Sequence, residues 1–125
     1  MAPNIRFGED LRQSSARGET ASVRKLLERG CHPGFSDAAG FTAMHYAAQC
    51  GNVECLEAML GVCGGGCDWD APDKTGWSTL AVAAHAGHVG AVQFLLEQGA
   101  DPAAVDSCGR TPLHHAAAGG REAVL

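Results

Sequence analysis

Three twelve-residue blocks recur in this chain of 125 residues: GFTAMHYAAQCG (40–51), GWSTLAVAAHAG (76–87) and GRTPLHHAAAGG (109–120). Each opens and closes on Gly, carries Thr or Ser third, Met or Leu fifth, and Ala-Ala eighth and ninth. An acid precedes each opening Gly by three residues: Asp37, Asp73 and Asp106. The segments that follow also match. ASVRKLLERG (21–30) aligns with GAVQFLLEQG (90–99), pairing Val23 with Val92 and Leu26-Leu27 with Leu95-Leu96, and the middle copy contributes Leu56 and Met59-Leu60. One period back from Gly51 stands Gly18, so LRQSSARG reads as a degenerate first copy. A chain with this period folds as like units stacked side by side, because no short unit can bury its apolar faces alone.

Composition narrows what such a stack can do. Apolar residues make up 46% of the chain and aromatics only 6%, so the core is aliphatic and alanine-rich. The formal net charge of -5 argues against nucleic acid as a partner. No apolar run is long enough to span a bilayer, and the N-terminal stretch has neither a signal-peptide core nor the glycine after Met1 that myristoylation needs. With no secretory signal, the six cysteines (31, 50, 55, 63, 67 and 108) are expected as reduced thiols in the cytoplasm or nucleus.

TPLHHAA (111–117) and TAMHYAA (42–48), with LLERG (26–30) and LLEQGADP (95–102), resemble the ankyrin repeat. The resemblance implies an all-α solenoid of helix-turn-helix units joined by short hairpin-like loops. It covers residues 10–125 in four units, about 10–36, 37–72, 73–105 and an incomplete 106–125, after a lead-in at 1–9. The residues suit that plan. Asp-x-x-Gly makes a turn in which Asp accepts backbone N–H groups and Gly takes positive φ. Thr42, Ser78 and Thr111 cap the first helices, Pro112 fits a first helical position, and Gly51, Gly87 and Gly120 end those helices left-handed. His45 and His114 are expected to bond backbone at the turns. Ala81 replaces that histidine in the third unit, where one inter-turn bond should be missing, and His115 is expected on the concave side. Ser14-Ser15, in place of Ala-Ala, suggest a polar outer surface for a terminal unit.

The second unit is three residues longer than its neighbour, and the excess falls in LGVCGGGCDWD (60–70). Three glycines break a helix there. Cys63 and Cys67 flank them; a CxxxC pair alone is a weak metal signal, a regulatory disulfide is a second reading, and a solvated loop pinned by Trp69 is a third. The sequence stops at Leu125, in register with Val92, which suggests a protein that continues.

No nucleophile–base set, phosphate loop or HExxH is present, so neither catalysis, cofactor nor metal is expected. The resemblance implies a protein-interaction module, a monomer that grips another protein with hairpin tips and first-helix faces. Carried onto this sequence, those surfaces comprise Phe41, Lys74, Thr75, Trp77 and Arg110 on the tips and Gln49 and His85 on the first helices, with Ala38, Ala39, Ser107, Cys108, Cys50 and Ala118 around them. Phe41, Trp77 and Arg110 share one register position, and aromatics and arginine are common interface anchors; the alternative is that both rings lie flat on adjacent hairpins as packing. Residues 1–30 carry net +2, residues 31–105 net -7 with Lys74 as their one Lys or Arg, and residues 106–125 net zero. That field would steer in a basic segment, or serve solubility alone. The alternative to an adaptor or scaffold is the targeting arm of a larger enzyme or signalling protein. A redox-sensitive module using Cys63 and Cys67 is a third reading.

Overall fold

The computed structural model describes residues 3–30, 33–34, 36–63, 69 and 71–118. Along them lie α1 (Pro3–Arg17), α2 (Thr20–Glu28), α3 (Ala43–Cys50), α4 (Val53–Cys63), α5 (Thr79–Ala86), α6 (Val89–Glu97) and α7 (Pro112–Ala118). The inner row stacks α1 on α3, α3 on α5 and α5 on α7, while α2, α4 and α6 form a second row behind it. The described residues contain no strand, only an isolated antiparallel bridge between Ser36 and Thr42. The chain is therefore all-α, a stack of helix pairs. Its first helix begins at Pro3, inside the stretch expected as a lead-in.

Local chemistry sets the helix ends. Thr42 Oγ1 accepts from His45 N, and Thr42 N donates to His45 Nδ1, a reciprocal cap. Ser78 Oγ accepts from Ala81 N at 3.2 Å. Gly51 and Gly87 stop α3 and α5 at φ 74° and 81°, where a side chain would be strained. Gly18 does the same for α1 at φ 71°, which places the degenerate first copy in register.

The core runs along the stack. Leu11, Val23, Leu27, Met44, Leu56, Met59, Leu80 and Leu95 are buried, and Ala47, Ala48, Ala83, Ala84 and Ala116 let the inner helices approach closely. Trp69 is buried with its ring edge-on to Phe94 at 5.8 Å, so it does pack on the stack. The glycine run, Cys67 and the side chain of Cys63 lie outside the described residues, as does Gly120.

Two local expectations are corrected. Ser15 lies in the core with its hydroxyl donating to Leu11 O at 2.7 Å, and it does not face outward. A back-bonded hydroxyl is satisfied and occupies little more room than the alanine at this register. His115 is also buried, at 1% exposure, and is absent from the concave surface.

Candidate functional site

The turns ahead of α3, α5 and α7 form one row of near-identical hairpins. In each, the Asp Oδ1 gathers backbone donors. Asp37 Oδ1 accepts from Ala39 N and Phe41 N, Asp73 Oδ1 from Thr75 N and Trp77 N, and Asp106 Oδ1 from Cys108 N and Arg110 N, all at 2.8–3.0 Å. Adjacent hairpins are tied by Lys74 N donating to Ala39 O and Ser107 N to Thr75 O, both at 3.0 Å. Contact is so close that a Cβ on Gly40 or Gly76 would lie 2.8 or 2.7 Å from a backbone nitrogen of the next turn.

Histidines join the hairpins to the helices. With His45 Nδ1 taken by Thr42, Nε2–H donates to Trp77 O of the next unit at 2.9 Å. Burial pushes the His45 pKa below its ordinary value, against the opposing pull of that carbonyl. His114 repeats the bond to Thr111 N, at 3.0 Å, but stands exposed on the last described unit. Ala81 makes no such bond, so among the described residues Arg110 O receives only Asp106 N where Trp77 O receives both Asp73 N and His45. A further bond crosses units where His88 Nε2 meets Gln49 O at 3.0 Å.

A second staple escaped the motif reading. The residue nine positions after each turn Asp is Tyr46, Val82 or His115. Tyr46 OH donates to Asp37 Oδ2. His115 Nε2 lies 3.1 Å from Asp106 Oδ2, close but without hydrogen-bond alignment. The signal was present as a shared nine-residue spacing from the turn Asp to a polar ring, hidden because tyrosine and histidine differ chemically. Burial works to raise the Asp37 pKa, but donors from Tyr46, Phe41 and Ala39 together hold it below the ordinary carboxylate value. Asp106 is lowered chiefly by the N–H of Arg110. The His115 pKa is lowered chiefly by burial, against the attraction of Asp106.

The residues singled out from sequence fall as follows. Phe41 and Trp77 are half-buried and pack back onto the stack. The Phe41 ring lies 5.0 Å from His45 and 5.2 Å from Tyr46, while Trp77 lies 5.3 Å from His85 and 3.9 Å from His115. Gln49, Lys74, Thr75, His85 and Arg110 are exposed. Arg110 Nε donates to Asp106 Oδ2 at 3.1 Å. The hairpin row thus brings together Phe41, Lys74, Thr75, Trp77 and Arg110, with Gln49 and His85 toward the ends of α3 and α5. Ala118 closes α7, and its side chain lies outside the described residues. Among the described residues no three His, Cys, Asp or Glu side chains group as metal ligands, and no helix is long and apolar enough to cross a membrane.

Helix pairs in two rows, joined by hairpins that cross-bond from unit to unit, define a helical repeat solenoid. The family described as Ankyrin repeats (3 copies) matches residues 11–106 and 62–125. The chain belongs to the ankyrin repeat family. It is 41% identical over 96 residues to the mouse B-cell lymphoma 3 protein homolog (Mus musculus), covering 75% of this chain and 21% of that protein. It is 38% identical over 100 residues to human SH3 and multiple ankyrin repeat domains protein 2 (Homo sapiens), covering 79% and 5%. To mouse protein phosphatase 1 regulatory subunit 27 (Mus musculus) it is 30% identical over 113 residues, covering 88% and 68%. The matched stretch spans about a fifth of the length of the B-cell lymphoma 3 relatives. Ankyrin repeats are generally protein–protein interaction modules and typically non-catalytic.

Proposed function

We propose that this chain is an adaptor or scaffold module of the cytoplasm or nucleus, binding a partner polypeptide along its hairpin row and inner-helix faces. The binding surface is Phe41, Gln49, Lys74, Thr75, Trp77, His85 and Arg110, and the favoured partner is a basic segment. One observation carries the reading: five of these residues lie on hairpins that hydrogen-bond from unit to unit. A row so braced has little conformational entropy to lose on binding. The net -7 of residues 31–105 supports the choice of a basic partner. The test is the affinity of an identified partner for Phe41→Ala/Trp77→Ala, with helicity checked. A loss of tenfold or more is expected for two interface anchors, and unchanged affinity refutes the surface.

A second reading is that these units form the binding arm of a longer signalling protein. The lengths of the B-cell lymphoma 3 and SH3-containing relatives favour it. The full reading frame decides it, and a stop codon directly after Leu125 refutes it.

A further inference from the structure

The three turn aspartates are alike in sequence and in the use of Oδ1, yet they differ at Oδ2. Asp37 Oδ2 is taken by Tyr46 OH. Asp106 Oδ2 is taken by the Arg110 Nε–H, with His115 Nε2 also against it. At Asp73 the ninth residue is Val82, which is buried and has nothing to donate. The fourth residue, Arg110 in the last turn, is here Trp77, whose indole makes no hydrogen bond to the carboxylate. Asp73 Oδ1 accepts three bonds, from Thr75 N, Thr75 Oγ1 and Trp77 N, all within 2.9 Å. Among the described residues nothing reaches Oδ2. Lys74, the adjacent residue, forms no ion pair with it.

We propose that Asp73 Oδ2 is the docking point for an arginine side chain of the partner, placed centrally in the hairpin row. The inference rests on the binding surface proposed above and names the group that surface takes. The last of the three turns supplies the precedent within this molecule. There a guanidinium whose own side chain is 48% exposed donates to the same oxygen of the same turn aspartate. An incoming arginine reproduces that contact on Asp73, whose turn has the same backbone frame. Guanidinium suits the position better than ammonium. Its planar N–H fork makes a directed, charge-assisted bond to a carboxylate oxygen. The half-buried Trp77 offers aromatic surface four residues away in the same turn.

The test uses the full chain, isotope-labelled, with a hexa-arginine peptide at low ionic strength and followed by NMR. The expected result is that the Asp73 side-chain carboxyl carbon moves most among the three turn aspartates, with the Thr75 and Trp77 amides following. Asp73→Asn keeps an Oδ1 acceptor for the turn, removes the charge, and is expected to weaken peptide binding about five- to tenfold, as for one exposed charge-assisted bond. Asp37→Asn is expected to leave the affinity unchanged, since its second oxygen is already occupied. Hexalysine should bind more weakly than hexa-arginine.

Three results overturn the assignment. If Asp73→Asn binds like wild type while amides of Phe41, Gln49 and His85 still shift, the arginine contact is wrong and the broader surface stands. If no resonance on the row responds, the basic-segment surface falls with it. Should Asp73→Asn fail to fold, the wild-type carboxyl shifts alone decide, and equal movement at Asp37, Asp73 and Asp106 overturns the assignment.

Discussion

The sharpest consequence of the stacked hairpins concerns two glycines that look identical in sequence. Gly76 and Gly109 both occupy the left-handed region, at φ 86° and 77°. Alanine at either position costs about 1–2 kcal/mol for that conformation, reduced by about 0.4–1 kcal/mol from the stiffer unfolded chain. At Gly109 no described atom lies within 4 Å of an added Cβ, so the net cost is about 1.6 kcal/mol or less. At Gly76 the Cβ would stand 2.7 Å from Ser107 N and 2.8 Å from Asp106 Cα, both backbone atoms. The next hairpin must move away, and the Ser107 N to Thr75 O bond of 3.0 Å is lost or stretched. A lost hydrogen bond of about 1 kcal/mol and about 1–3 kcal/mol of overpacking bring the net cost to about 2–5.5 kcal/mol. Urea denaturation followed by helix circular dichroism measures both variants, and the midpoint of Gly76→Ala should fall well below that of Gly109→Ala. Equal midpoints would refute the claim that inter-hairpin contact, rather than backbone angle, sets the demand for glycine at this position.

Other perturbations follow from the same contacts. His45→Ala removes one of the two bonds to Trp77 O, takes the side-chain acceptor from Thr42 N and deletes a buried ring, so chemical denaturation should show a loss of about 2–4 kcal/mol; His114→Ala, on the exposed last described unit, should cost under about 1 kcal/mol. The His45 and His115 pKa values lie below the ordinary 6.5 in the folded chain. The unfolded chain therefore binds protons first, so stability is full above pH 6.5 and declines as pH falls below it. Melting temperatures between pH 7.5 and 5 should show that decline, and His45→Gln should flatten part of it. Asp37 and Asp106 are held below the ordinary 3.8 and add a second loss only in stronger acid, as pH falls below that value.

The sequence by itself determined the repeat architecture. The Gly-to-Gly spacing, the Ala-Ala pairs and the turn aspartates specify local conformations, and local conformation is set by neighbours a few residues apart. Thr42, Ser78, Gly51 and Gly87 act as read because capping and left-handed termination need only their own turn. The candidate surface was legible as a set of register positions, since the period assigns each residue to a tip or a helix. Which of those side chains are free was decided by tertiary structure alone. His115, expected on the concave side, is buried against the aspartate nine residues back, and Tyr46 bonds its own turn aspartate at the same spacing. Ser15 looks like a polar cap and is buried, because its hydroxyl is satisfied by Leu11 O in the same helix. The singular state of Asp73 depends on two absences, of a donor at Val82 and of one at Trp77, which acquire meaning only when helix and turn are brought within bonding distance. Periodicity fixes where a residue sits along the stack; the partner of a polar atom is chosen by distances that only the packed chain defines.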